Sequence, residues 1–362
     1  MNKVYINSVK QISAQQPLVD EWFEQAIFYS EPYIRAIEPD YKQFFTSNEL
    51  RRFGRILKRA LLVSRQTMAE SGIALPDAII AGTGLGCIES TEIFLDKLVR
   101  EGEALLNPTH FMQSTHNTIS ALIALDAKCH AYNNTYAHKG ISFECALQDA
   151  FMQLTHNGDV MNRASTALVG AHDEMTPAYF NLLKKAGYLG RENQTFAGET
   201  AVAMMLSTKK AEKALCEIEA VEKIYTGCET MGYETGDKLQ LQISNLKNPS
   251  LKNSNPDYIM TGTNGVPEND NIYLENCAKL FPGVPLLQYK NIFGESYTAS
   301  ALGVYAAAVC LQRGEIPDFL MYDRREETNC SPKPQILTLN SKIVCYNQIE
   351  NKNHTFILLK NR

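Results

Sequence analysis

The stretch Tyr136–Asp149, Tyr-Ala-His-Lys-Gly-Ile-Ser-Phe-Glu-Cys-Ala-Leu-Gln-Asp, constrains the fold more than any other part of the chain. An extended polar run, Ala131–Thr135, precedes it, and Gly140 tolerates the backbone angles of a sharp turn. Beyond Gly140, apolar residues recur at the three- and four-residue spacing of a helix with a wide buried face: Phe143, Ala146, Leu147, Ala150, Phe151 and Leu154. The sequence therefore predicts a strand, a tight elbow and a buried helix.

The start of this helix is the first place to look for chemistry, because a helix N-terminus exposes unpaired N–H groups and a partial positive charge. Ser142 could act as a nucleophile if His138 or His116 served as its base. The plainer alternative is that its hydroxyl caps the helix. Cys145 lies one turn into the helix, where the dipole has little effect, so a buried thiol is the alternative to a displaced nucleophile.

Composition excludes several classes of protein. The 362 residues are enough for two domains, and 44% hydrophobic with 21% charged residues is typical of a soluble globular protein. A net charge of −5 weighs against a nucleic-acid-binding surface. Nine cysteines without a Cys-x-x-Cys pair predict reduced thiols in a cytoplasmic protein. We expect no metal site, because the sequence has no set of closely spaced metal ligands. We expect no signal peptide, no membrane span and no cofactor.

Short buried strands alternate with helices along the chain, which indicates an α/β fold. A strand, a glycine-containing elbow and a buried helix occur at Gly140 and again at Gly294. This repetition suggests two related half-domains, at residues 1–210 and 211–362. The glycine-rich run Gly82-Thr-Gly-Leu-Gly86 follows a strand and could cradle a phosphate, but its spacing is not that of a dinucleotide site.

Two helices are predicted in the first quarter of the chain. Asp20–Ile27 is one, and the amphipathic run Leu50–Ser71 is the other, following a capping box at Thr46–Glu49. The longer helix carries basic residues that predict either a docking surface for an acidic partner or a solvated face, and we favour the solvated face: Arg51, Arg52, Arg55, Lys58 and Arg59.

Several segments, in order along nearly the whole chain, resemble the β-ketoacyl synthases of the thiolase fold. They are Ala81–Gly86 with Glu89-Ser-Thr-Glu92, the elbow with its helix, Gly198-Glu-Thr-Ala201, Lys290-x-x-x-Gly294 and Asn353-His-Thr-Phe-Ile357. The resemblance implies an αβαβα layered fold built from two related half-domains and, usually, a dimer.

The catalytic positions depart from the family pattern. The resemblance implies a cysteine at the elbow that carries the acyl chain as a thioester, and two histidines that stabilise an enolate. These positions fall on Gly140 or Ile141, on Thr261 and on Glu295. An ionised Glu295 would oppose an enolate at about 4 Å by roughly 4 kcal/mol, on the order of a thousandfold in rate. Glu295 could instead form a structural ion pair with Lys290.

The closing Gly-Phe-Gly-Gly loop of the family is replaced here by Gln348–Lys352. The chain most resembles the cysteine-lacking, chain-length-factor-like subunits of aryl-polyene and flexirubin-type pathways. The resemblance rests on Asn107-Pro-Thr-His-Phe111, Ser114-Thr-His-Asn117 and Ser142-Phe143. It implies that Phe143, His116 and Asn117 contact an acyl substrate, although Phe143 also fits the core.

We therefore interpret the chain as a ketosynthase-like subunit without catalytic activity. Its expected partners are an active β-ketoacyl synthase, with which it forms a heterodimer, and an acyl carrier protein, in fatty-acid or polyene-type polyketide biosynthesis. Two alternatives stay open. One is an active condensing enzyme or acyltransferase that uses Ser142 or Cys145 with His138 or His116. The other is a homodimeric acyl-binding or scaffold protein.

Overall fold

A computed structural model describes residues 2–103, 106, 108–155, 164–227, 235–244, 251, 254–322 and 335–361. Within these ranges the chain forms twelve strands. Their bounds are β1 Val4–Ile12, β2 Ala78–Gly82, β3 Tyr132–Tyr136, β4 Thr166–Asp173, β5 Thr200–Ser207, β6 Cys216–Tyr225, β7 Tyr258–Thr261, β8 Leu286–Gln288, β9 Glu315–Ile316, β10 Gln335–Ile336, β11 Lys342–Ile349 and β12 Asn353–Lys360.

Helices alternate with these strands. They are α1 Ser47–Arg52, α2 Arg55–Ser71, α3 Ile88–Glu101, α4 Pro108–Gln113, α5 Thr118–Asp126, α6 Ser142–Thr155, α7 Pro177–Lys185, α8 Thr235–Ser244, α9 Pro267–Leu280, α10 Lys290–Phe293 and α11 Ser300–Arg313. In the part of the chain described above, no helix is long and apolar enough to cross a lipid bilayer.

Ten strands form one mixed sheet in the order β3-β2-β4-β5-β1-β6-β12-β11-β7-β8. Taken from each edge inward, the halves are β3-β2-β4-β5-β1 and β8-β7-β11-β12-β6. Both show the same pattern, two parallel pairs and then two antiparallel pairs. The halves join where Val4–Ile6 of β1 pairs antiparallel with β6. The predicted boundary at 210/211 falls between β5 and β6 and stays a prediction.

Side chains alternate between the two faces of each strand, as the strand period requires. One face of both half-sheets packs on α6 and α11 in a central apolar cluster. The opposite face of the first half packs on α2 and α5, and that of the second half packs on α8 and α9. The layers therefore run helix, sheet, helix, sheet, helix, and the predicted α/β thiolase-like layered fold is confirmed.

The two early helices differ from prediction. Asp20–Ile27 contains only a short 3₁₀ turn at Glu21–Phe23, so the helix prediction there was wrong. The run Leu50–Ser71 is two helices, because the chain is extended at Phe53 and Gly54 between α1 and α2. The capping box at Thr46 and Glu49 is present.

Candidate functional site at the elbow

The elbow joins β3 to α6 through a 3₁₀ turn at Lys139–Ile141. The residue with a positive φ, +47°, is Lys139 and not Gly140, so the conformational reason that the sequence suggested for Gly140 was wrong. Gly140 lies instead under the tip of a flexible side chain, which would have to shift to admit a Cβ. A Cβ there would lie 2.7 Å from Cδ1 of Ile349, which covers the elbow from the β11–β12 hairpin.

Ser142, the first residue of α6, is fully buried and its hydroxyl is engaged by the turn. It donates a hydrogen bond to the Lys139 carbonyl at 2.7 Å and accepts one from the backbone N–H of His138 at 2.7 Å. The side chain of His138 is exposed. These contacts close the 3₁₀ turn that precedes α6, and Ser142 itself has helical backbone angles, so the expectation that its hydroxyl caps the helix was wrong.

Cys145 lies one turn further along α6. Its Sγ accepts a hydrogen bond from Nζ of Lys223 at 3.2 Å. Burial raises the pKa of this thiol, and the nearby Lys223 lowers it by less, so the net pKa is raised. Because the thiolate is the nucleophilic form of cysteine, this environment does not activate Cys145.

The three residues expected to contact an acyl substrate lie in different surroundings. Phe143 has 0% exposure and belongs to the central apolar cluster. His116 and Asn117 are exposed at the start of α5, where the His116 ring packs beside Gly86. Their predicted role in substrate binding stays a prediction.

Two further residues hold the elbow, and the sequence analysis missed both. Nδ2 of Asn347 donates to the Gly140 carbonyl at 2.9 Å and to Oε1 of Glu144 at 2.7 Å. Oδ1 of Asn347 accepts from the Tyr273 hydroxyl at 3.1 Å. Glu144 is completely buried, and burial raises its pKa. Glu144 could have been noticed in the sequence, because it is a carboxylic residue directly after Phe143, the first apolar position of a buried helix.

The two positions that correspond to the family's histidines are engaged in hydrogen bonds and an ion pair. The Thr261 hydroxyl is buried, donates to the Leu287 carbonyl at 2.9 Å and lies 3.1 Å from the Thr263 hydroxyl. Oε2 of Glu295 accepts from Nζ of Lys290 at 2.8 Å and from Nδ2 of Asn264 at 2.9 Å. The ion pair considered for Glu295 is therefore present.

A chain of side-chain amides connects Glu295 to the hairpin over the elbow. Asn264 Oδ1 accepts from Asn269 at 3.0 Å, and Asn269 Oδ1 accepts from Gln348 at 2.9 Å. Gln348 begins the segment that replaces the closing glycine loop. Glu350 and Asn351 both have positive φ, 54° and 52°, as the central residues of a type I′ hairpin turn do. The structure thus brings Gly140, Thr261 and Glu295 into one region with the hairpin.

The glycine-rich loop after β2 does bind a carboxylate, but one that belongs to the chain. Asp173 accepts hydrogen bonds from the backbone N–H groups of Gly84 and Leu85, both at 2.9 Å, and from the Thr83 hydroxyl at 3.2 Å. Burial raises the pKa of Asp173 to about 6. Because these N–H groups already have an anionic partner, the phosphate cradle considered for this loop is not supported by the structure.

The next residue anchors the helix that follows this loop. Glu174 accepts from the backbone N–H of Glu89 in α3 at 3.0 Å, and burial raises its pKa to about 7.

Arg59 is buried nearby and pairs with Glu199 at 2.9 Å and with Glu38. Arg55 pairs with Glu89 at 3.0 Å. The inclusion of Arg59 in an exposed basic surface was therefore wrong.

The described ranges offer neither a metal site nor a disulfide. They contain no group of three or more His, Cys, Asp or Glu side chains that could hold a metal ion. Seven cysteines in these ranges are free thiols, and all seven are buried: Cys87, Cys129, Cys145, Cys216, Cys277, Cys310 and Cys345.

Solved structures with the same architecture are ketosynthases. The ishigamide ketosynthase/chain length factor is 15% identical with a TM-score of 0.76, and the match covers 100% of this chain and 99% of that one. The ketosynthase ApeO in complex with its chain length factor ApeC, from Xenorhabdus doucetiae, is 14% identical with a TM-score of 0.75, over 100% and 98%. AntDE:AntF, a type II PKS acyl-carrier protein in complex with its ketosynthase, is 12% identical with a TM-score of 0.73, over 100% of both chains.

At these identities the structural likeness establishes the fold alone. No curated protein matches the chain. The sequence itself matches the family described as beta-ketoacyl synthase, N-terminal domain, over residues 49–255, which is more than half of its length. The chain therefore belongs to the β-ketoacyl synthase family.

Proposed function

We propose that this chain is a non-catalytic, chain-length-factor-like subunit that pairs with an active β-ketoacyl synthase. The observation that carries the proposal is the chemistry at the three catalytic positions. Neither Gly140 nor Ile141 can form a thioester, and Thr261 and Glu295 stand in place of two histidines. Thr261 is bonded to a carbonyl and Glu295 to a lysine and an amide, so neither offers the pair of neutral or cationic donors that an enolate needs.

The closed elbow supports the same proposal. Ile349 covers Gly140, Asn347 ties the Gly140 carbonyl to Glu144, and Phe143 is fully buried behind them. An acyl chain could reach the elbow only if these side chains moved. This arrangement fits a subunit that shapes the pocket of its partner and does not carry the acyl group itself.

The edge strand β3 supports pairing with another chain. At the opposite edge, β8 is covered, since Leu287 bridges to Met321 and the Leu286 carbonyl accepts from the backbone of Tyr322. In the ranges that the structure describes, no strand pairs with the outer side of β3, and Tyr132 on it is 43% exposed. An uncovered strand edge is a template for pairing with a partner strand. ApeO, a structural neighbour, is solved with its chain length factor.

The partner that we propose is an active ketosynthase, and the acyl group is delivered by an acyl carrier protein in a polyene-type polyketide or fatty-acid pathway. We place the complex in the cytoplasm, a choice that the free buried thiols support. We also propose that residues 1–210 and 211–362 are the two half-domains, a division that the mirrored strand order supports.

Co-expression with a candidate ketosynthase tests the pairing. The two chains should co-purify and elute as a one-to-one complex in size-exclusion chromatography with light scattering. A chain that elutes only as a homodimer, with and without the ketosynthase, would favour the acyl-binding or scaffold alternative. A covalent acyl adduct on Ser142 or Cys145 after incubation with an acyl thioester, detected by mass spectrometry, would favour the active alternative.

A further inference from the structure

Helix α3 carries an apolar stripe that the rest of the described structure leaves uncovered. Phe94, Leu95, Leu98 and Val99 recur at the spacing of one helix face, and a stripe of this kind normally packs on a core. Of the 14 residues of α3, only Ser90 is buried within the described ranges. Val99 is 83% exposed. The helix therefore presents to the outside the side that its sequence would be expected to bury.

Helix α4 enlarges this uncovered apolar surface. The ring centroids of Phe94 and of Phe111 in α4 lie 5.3 Å apart, and in the described structure α4 has no buried residue. Met112 is 68% exposed. We refer to the exposed side chains of Leu95, Val99, Phe111 and Met112 as the α3–α4 face. Apolar, aromatic and methionine side chains without a charge are typical of the centre of a protein–protein interface, and an exposed patch of them marks an interaction site.

We propose that the ketosynthase partner covers the α3–α4 face, as the apolar part of the same interface that includes β3; this inference rests on the proposed function. The strand has 5 residues, and at about 3.3 Å per residue its edge is roughly 17 Å long. A stable interface buries about 800 Å² on each partner, which is a patch roughly 28 Å across. The strand edge alone is therefore too small, and a stable pair needs a further apolar contact.

Helix α5 connects the α3–α4 face to β3. At the start of α5, the Thr118 hydroxyl donates to the Met112 carbonyl at 3.0 Å. One turn further along, the Ser120 carbonyl accepts from Nδ2 of Asn133 in β3 at 3.1 Å. The face therefore belongs to the same part of the molecule as the uncovered strand edge, and a partner that pairs with β3 lies beside it.

The charges of α3 favour a protein partner over a lipid surface. Asp96 and Arg100 lie outside the apolar stripe and pair with each other at 2.8 Å. Helices that bind an anionic membrane surface carry many lysines and arginines on their polar side. The polar residues of α3 have the opposite balance, since acidic residues outnumber basic ones: Glu89, Glu92, Asp96 and Glu101 against Lys97 and Arg100.

Val99→Lys combined with Met112→Lys tests the α3–α4 face. Both side chains are mostly exposed and lysine is a good helix former, so the double variant should fold as the natural chain does. Its complex with the ketosynthase should weaken by at least about thirtyfold, as on loss of a central interface residue. Light scattering over a dilution series of the co-expressed complex measures the dissociation constant.

The matched control is Ile336→Lys combined with Leu339→Lys. It adds the same charge at two exposed apolar positions, in and directly after β10, which belongs to a separate two-stranded sheet. The control should bind the ketosynthase as tightly as the natural chain does. If the α3–α4 variant binds as tightly as this control, the inference is overturned.

Hydrogen–deuterium exchange of the natural chain, free and in the complex, gives a readout that needs no variant. The backbone amides of α3 and α4 should exchange more slowly in the complex, and so should those of β3. If only β3 slows, the inference is overturned and the proposed pairing stands. If the natural chain forms no complex with the ketosynthase, the proposed function fails and the inference fails with it.

Two other occupants of the α3–α4 face would also overturn the inference. A homodimer of the natural chain that the α3–α4 variant breaks and the control retains would place a second copy of this chain on the face. Binding of the natural chain to phosphatidylcholine vesicles, lost in the α3–α4 variant, would place a lipid surface there.

Discussion

At the scale of single residues, the closed elbow depends on close packing of backbone against backbone. Gly82 ends β2 directly under the first turn of α6. A Cβ at Gly82 would lie 2.6 Å from the backbone nitrogen of Phe143 and 2.6 Å from the carbonyl carbon of Ser142. Neither atom can move away without displacing α6. Gly82 is thus needed for the space that it leaves.

Gly82→Ala should therefore destabilise the protein strongly. Overpacking of a tight site costs about 1–3 kcal/mol, and because the obstacle here is backbone, we expect a value at or above the upper end. Denaturant unfolding of the variant measures it. Gly54→Ala is the matched control, since a Cβ there meets nothing within 4 Å, and its effect should stay within about 1 kcal/mol. If both variants lost the same free energy of unfolding, the close contact of Gly82 with the backbone of α6 would not explain the effect.

The buried carboxyl of Glu174 predicts a pH dependence of stability. Its pKa is raised from 4.5 to about 7 in the folded chain. The folded state therefore binds this proton more tightly than the unfolded state, and the contribution to stability falls as the pH rises from about 4.5 to about 7. Asp173, with a pKa raised from 3.8 to about 6, acts in the same direction at lower pH.

Glu174→Gln removes the titration and retains an oxygen that can accept from the Glu89 backbone N–H. The variant should be more stable than the natural chain at pH 8, by up to about 3 kcal/mol, and should show no gain at pH 4. Unfolding curves at both pH values measure this difference. The account would be contradicted by a gain of the same size at both pH values, or by a loss at pH 8.

At the scale of elements, the sequence predicted the alternation of strands and helices, and the departures from prediction have local and tertiary causes. Asp20–Ile27 has a helix-like composition, but Trp22 is held in the core by a 2.8 Å hydrogen bond to the Tyr305 hydroxyl, so only one 3₁₀ turn forms. The helix predicted over Leu50–Ser71 is interrupted where Phe53 and Gly54 are extended, and Gly54, a weak helix former, precedes the second helix. The strand β11, Lys342–Ile349, was missed although its β-branched and aromatic residues favour a strand.

The edge strand β3 gives a prediction about assembly. The backbone N–H of Thr135 points away from β2, and its hydrogen bond goes to Oδ1 of the neighbouring Asn134 at 2.9 Å. Thr135→Pro removes that N–H and adds a ring at the uncovered edge, where proline is tolerated within a sheet. We expect the variant to fold and to lose the complex with the ketosynthase, as measured by co-purification and light scattering.

The control for this variant is Thr135→Val. It retains the backbone N–H and removes only the hydroxyl, which contacts the Ser120 hydroxyl inside the chain. The valine variant should still form the complex. If the proline variant folds and pairs as well as the valine variant, the partner does not bind at β3.

At the scale of the whole molecule, the alternation of strands and helices predicted an α/β fold, and the resemblance of short motifs to β-ketoacyl synthases implied its layered arrangement. The side-chain contacts at the elbow were harder to predict from the sequence. Asn347 lies in a strand that was not predicted, and it reaches Gly140 across 207 positions of sequence. The position of Glu144 beside Phe143 could have drawn attention to it, but its partners Asn347 and Thr355 lie in the other half of the chain and could not be predicted. Long-range pairings of this kind cannot be derived from local pattern.

The central claim is that the chain belongs to the β-ketoacyl synthase family but has lost the chemistry at the elbow. Incubation of the purified chain alone with acyl- and malonyl-carrier proteins, with product formation followed by mass spectrometry, tests it most directly. A catalytically active ketosynthase assayed in parallel shows that the substrates are competent. The account predicts no condensation above the rate without protein. Robust turnover by the chain alone would contradict it.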